Sequence, residues 1–92
     1  MEISYDLGKN KNNIALRQLS FEQVVAFDFS TASIEQDVRK PYPEIRYVAV
    51  GFLSNRLHVL CFTPVTRGIR VISFRKANPR EVKNYEQTRP TH

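Results

Sequence analysis

The residues of this chain that could do chemistry are mostly cations. Arg46 opens one apolar run, Arg70, Ser73, Arg75 and Lys76 punctuate another, and Arg80, Glu81, Lys83 and Tyr85 follow directly. Cleaving a phosphodiester at a 2′-hydroxyl without a metal needs a base for that proton, cations for the charge gathering on the phosphate oxygens, and an acid for the leaving oxygen. Arginine suits the second task, because its planar fork pairs with phosphate and stays charged. Glu81 or Glu44 suits the first, while Tyr85 or Lys76 offers a proton, or a surface for a stacked base. Each has a plainer counterpart. The arginines could sit in structural ion pairs with Asp37 and Glu44, Glu81 could favour a helix N-terminus, and Tyr85 could pack on a sheet. Arg67, Arg80 and Lys83 fit phosphate contacts or solvated surface charge.

Other signatures are missing. There is no metal-ligand spacing, phosphate loop, nucleophile elbow or Cys/His dyad, so neither a metal nor a cofactor is expected. His58 lies within an apolar run, where a histidine is more often structural than catalytic. The single cysteine, Cys61, excludes a disulfide framework and points to a reducing compartment. The first residues carry neither a basic nor an apolar leader region, and no apolar run approaches the ~20 residues of a membrane span. A cytoplasmic protein with no membrane partner is the expectation.

Charge is unevenly distributed over the 92 residues. Residues 1–44 hold five Lys/Arg against seven Asp/Glu, and residues 45–92 hold nine against two, giving −2 and +7 for the net +5. A basic half on so small a chain is the footprint of a polyanion binder. It fits RNA, and it equally fits a non-enzymatic module that docks an acidic protein or nucleic acid.

The elements that must position these residues read as one α+β domain over 1–92. Residues 1–6 suit a short strand and about 9–18 a first helix. Ser20 with Gln23 forms a capping box for a second helix at about 21–28, whose buried stripe is Phe21, Val24, Val25 and Phe27. Residues 30–43 read as a loop with at most one short edge strand. Runs at 45–53, 57–63 and 69–77 are rich in β-branched residues and spaced for an antiparallel meander. Strict alternation in the last run sends Arg70, Ile72, Phe74 and Lys76 to one side and Val71, Ser73 and Arg75 to the other. Pro79 starts a short C-terminal helix through about Glu86, and 88–92 reads as a frayed tail. The architecture expected is two layers, the meander packed against the N-terminal helices.

Several of these residues recur in a known pattern. Tyr5-Asp6, Lys9, Asn13 and Ser20-Phe21-Glu22, then Glu44-x-Arg46, Gly51, the run Ile69-Arg70-Val71-Ile72-Ser73-Phe74-Arg75-Lys76-Ala77, Glu81 and Tyr85 resemble the BrnT family of type II toxin–antitoxin toxins. The resemblance implies a RelE-like fold and a growth-inhibiting, metal-independent endoribonuclease. It further implies RNA as substrate and a BrnA-type ribbon-helix-helix antitoxin as partner, with operator DNA reached only through the antitoxin complex. With RNA cleavage implied by the resemblance, the cationic strand and helix give Arg46, Arg70, Ser73, Arg75, Glu81 and Tyr85 as the expected catalytic set, and Arg17, Lys76, Arg80 and Lys83 as expected RNA contacts. The chain departs from the family where K-H-G is common: those positions read Leu16-Arg17-Gln18. Arg17 supplies charge there but no base, its pKa lying above about 12.

Overall fold

The computed structural model describes residues 1–88, and the rest of the tail expected at 88–92 lies outside the described residues. Five strands form one sheet in the order β1-β5-β4-β3-β2. They are β1 (Glu2–Tyr5), β2 (Ser33–Gln36), β3 (Tyr47–Leu53), β4 (Arg56–Val65) and β5 (Gly68–Lys76). The last three make the expected antiparallel meander, and β2 is the short edge strand within the 30–43 loop. β1 joins the far side parallel to β5, which makes the sheet mixed. Its approach is close: a Cβ on Gly68 would stand 1.9 Å from the Glu2 carbonyl oxygen, so no larger residue fits there.

Two helical segments follow β1. Asp6 caps α1 (Leu7–Arg17) by accepting from the Lys9 amide, two residues ahead of the start expected from the sequence. The capping box of Ser20 and Gln23 is formed, but the segment it opens is a 3₁₀ turn, η1 (Phe21–Ala26), and not an α-helix. Three residues per turn align Phe21, Val24 and Phe27, all buried, and swing Val25 out to 77% exposure, which corrects its place in the expected stripe.

The core lies between η1 and one sheet face, where Phe21, Val24, Phe27, Leu60, Val71 and Phe74 pack together. α1 joins it through polar side chains. Asn13 is buried and donates to the carbonyls of both Leu19 and Phe74 at 2.9 Å, and Asn10 accepts from the Phe21 amide at 2.7 Å. These bonds hold α1 against the part of β5 that β1 leaves unpaired. The apolar side chains Leu7 and Leu16 of α1 point outward instead, about four-fifths exposed.

α2 (Pro79–Thr88) covers the opposite sheet face. Val82 and Tyr85 pack on Leu57, Val59, Val48, Val50 and Phe52. Asn78 and Glu81 cap its start reciprocally, each backbone amide donating to the other's side chain.

Candidate functional site

β5 carries the cations, and its pairing with β4 decides where they point. Cys61 stands opposite Ser73 and Phe62 opposite Val71, leaving Ile72 as an extra residue. This β-bulge breaks the strict alternation expected from the sequence. Cross-strand partners share a face, so Arg70 (opposite Thr63), Ser73 (opposite Cys61) and Arg75 (opposite Val59) all lie on the α2 side. Val71, Phe74 and Lys76 lie on the other, and Phe74 reaches the core. The correction has a simple cause: one inserted residue inverts the phase of everything after it.

On this face α2 covers only the half of the sheet nearest its own start. Beyond its cover, Arg46 just before β3, Thr63 near the end of β4 and Arg70 near the start of β5 form one row across the sheet. They line a recess of about 380 Å³, together with Lys9, Asp6 and Glu44. Thr63 donates to the Ile45 carbonyl at 2.6 Å and ties β4 to the approach of β3. Arg46 donates through Nε to Glu44 at 2.8 Å, and its guanidinium lies 4.1 Å from the centroid of the Tyr42 ring. The Tyr42 hydroxyl in turn donates to Asp37, which also holds Arg39 through two side-chain bonds. Those bonds keep the Asp37 carboxyl far below the usual carboxylate range. Arg70 is exposed and has no ion pair among the described residues. The Asp6 carboxyl is lowered, first by the Lys9 amide it accepts from and also by the charges of Lys9 and Arg70.

The other sequence-predicted residues gather elsewhere. Arg75 and Glu81 form a two-pronged ion pair at 2.7 and 2.8 Å where β5 meets α2. That pairing lowers the Glu81 carboxyl and raises the Arg75 guanidinium. Tyr85 stacks edge-on against Phe52 and donates to the Thr31 carbonyl at 2.8 Å. Glu81 and Tyr85 line a groove of about 370 Å³ between α2 and β2, floored by Val48 and Val50. Ser73 stands between the two groups on the shared face. Arg17, Arg75 and Lys76 surround a third recess, and Arg80 and Lys83 are exposed on α2.

Thus Arg46 and Arg70 come together, while Arg75, Glu81 and Tyr85 form a second group. Lys9, Glu44 and Thr63 complete the first group. Lys9 and Glu44 carried a signal in the family pattern, whereas Thr63 had none, since only strand register brings it beside two arginines. His58 is structural: it is buried against Phe74, its Nδ1 contacts the Arg56 carbonyl, and burial lowers its pKa.

The arrangement can bind an anion, place a carboxylate beside it and supply an ammonium. Among the described residues no group of three or more His, Cys, Asp or Glu converges as a metal site would. No helix among them is long and apolar enough to cross a membrane. No individually curated protein matches the chain. The family model for the ribonuclease toxin BrnT of type II toxin–antitoxin systems matches residues 5–81, a span that includes β2 to β5 in full, and the chain therefore belongs to that family.

Proposed function

We propose that this chain is a metal-independent endoribonuclease that arrests growth in the cytoplasm, and that the recess of Arg46, Thr63 and Arg70 holds the scissile phosphate. The observation that carries this reading is the row itself: two arginines on either side of Thr63 on one sheet face, outside the cover of α2 and flanked by Lys9. Arg46 and Arg70 stabilise the charge on the non-bridging phosphate oxygens as the transition state forms. Glu44, already within the reach of Arg46, takes the proton of the 2′-hydroxyl as that oxygen attacks phosphorus. The bond from phosphorus to the 5′-oxygen breaks, and Lys9 protonates the leaving oxygen. The products are a 2′,3′-cyclic phosphate and a 5′-hydroxyl.

Within this reading the Arg75–Glu81 pair fixes the joint between β5 and α2. Ser73 lies one row from Arg70, available to a neighbouring phosphate oxygen, and Tyr85 offers a ring beside the path of the strand. Arg80 and Lys83 add a cationic surface. A BrnA-type antitoxin neutralises the toxin by covering the open row, and operator DNA is bound only through the complex.

Induced expression tests the reading directly. The wild-type chain arrests growth and degrades RNA, purified protein keeps its activity in chelator, and the Arg46→Ala/Arg70→Ala variant folds normally but loses both effects. Protein that binds RNA with a steep salt dependence yet leaves it intact would instead identify a non-enzymatic basic module.

A further inference from the structure

The recess formed by Arg17, Leu19, Arg75 and Lys76 has no role in the cleavage described above, and its volume is about 270 Å³. Three cations from two parts of the chain surround it: Arg17 from the last turn of α1, and Arg75 and Lys76 from the end of β5. Only Arg75 has a carboxylate partner, Glu81. Arg17 donates to the neutral Asn13 side chain at 3.0 Å, and Lys76 has no ion pair among the described residues. The helix dipole favours a cation at the position of Arg17. It gives no reason for Lys76 to stand beside it, and mutual repulsion opposes the grouping.

Both cationic recesses border the same two elements. The Arg46–Arg70 recess touches the start of α1, at Asp6 and Lys9, and the first half of β5. The Arg17 recess touches the end of α1 and the end of β5. From Lys9 to Arg17 the helix rises about 12 Å, and from Arg70 to Arg75 the bulged strand advances about 13 Å, the length of the four β4 steps opposite it. That separation suits phosphates a few nucleotides apart on one extended strand.

Building on the ribonuclease reading, we infer that the Arg17–Arg75–Lys76 recess is a second backbone-phosphate subsite, which holds single-stranded RNA a few nucleotides from the bond being cut. Its chemistry is that of a phosphodiester, bound without regard to base. The subsite makes binding depend on substrate length: a strand that reaches both recesses gains the second contact, and a dinucleotide cannot.

The test uses the full chain and uncleavable 2′-O-methyl oligoribonucleotides of about two and about six nucleotides, with affinity measured over a salt series. An Arg17→Gln/Lys76→Ala variant is expected to weaken the longer oligomer roughly tenfold at low salt, to flatten its salt slope by about 1, and to leave the dinucleotide unchanged. Arg17→Lys, which keeps the charge, should stay close to wild type and shows that loss of fold is not the cause. Unchanged affinity and slope for the longer oligomer would overturn the subsite, as would equal losses for both lengths or loss of antitoxin binding with RNA binding intact. The Arg46→Ala/Arg70→Ala variant separates the two ideas. If it binds and cleaves like wild type, the cleavage site lies elsewhere, while a length-dependent loss in Arg17→Gln/Lys76→Ala still supports the subsite.

Discussion

Arg75 and Glu81 meet through two parallel hydrogen bonds, Nη1 to Oε1 at 2.7 Å and Nη2 to Oε2 at 2.8 Å, across the joint between the last strand and the last helix. Glu81 also accepts the Asn78 amide, so one carboxylate caps α2 and fastens it to the sheet. The pair is partly exposed, which limits its strength, but its two-pronged geometry places it above an ordinary surface bridge.

Replacing Glu81 by Gln should therefore lower stability by about 1 kcal/mol at neutral pH. The folded-state pKa of Glu81 is depressed, so its contribution is full above the unfolded carboxylate value of about 4.3 and disappears as pH falls through the lower folded value. Urea unfolding at pH 7 and near pH 3 checks this. A gap between wild type and Glu81→Gln that stays constant with pH would exclude the ion pair as its source.

Glu44 stands against the guanidinium that is proposed to receive the phosphate, and it competes with any incoming anion. Glu44→Gln is expected to bind uncleavable RNA several-fold more tightly while cleaving cognate RNA at least about a hundredfold more slowly, since general-base catalysis contributes on that scale. Parallel measurements of affinity and single-turnover rate decide the matter, because a purely structural Glu44 would not move the two in opposite directions.

Tyr42 reaches Arg46 through its ring and Asp37 through its hydroxyl. Tyr42→Phe keeps the ring and should retain nearly full RNA affinity, whereas Tyr42→Leu releases the guanidinium and should lose affinity several-fold with an unchanged melting temperature. Equal behaviour of the two variants would show that the stacking does not orient Arg46.

Asn13 satisfies two buried carbonyls with one amide group. Asn13→Ala leaves both unpaired and should cost about 2–4 kcal/mol, measured by equilibrium unfolding. Hydrogen exchange should then show the β5 segment beside α1 opening first. A loss below about 1 kcal/mol would mean that water replaces the amide.

Much of this molecule is written in local sequence. The capping box at Ser20 and the start of α2 at Pro79 depend on contacts within a few residues, the three meander strands on β-branched runs joined by short turns, and all form close to where the sequence places them. The cationic character of β5 is equally plain, and so is the family pattern that runs from Tyr5 to Tyr85, which the family match over residues 5–81 bears out. The tighter pitch of η1 was less legible, because Phe21, Val24 and Phe27 satisfy a 3₁₀ turn as well as an α-helical stripe.

Which cations act together was decided by tertiary structure. Strict alternation separates Arg70 from Ser73 and Arg75, and the single extra residue at Ile72 returns them to one face. The register of β3, β4 and β5 then sets Arg46, Thr63 and Arg70 in one row, although Arg46 lies 17 residues before Thr63, and Glu81 pairs with Arg75 away from that row. Charge and propensity belong to individual residues and survive in the sequence. Convergence depends on strand register, on one bulge and on where α2 ends its cover, and those are settled only when the whole sheet packs.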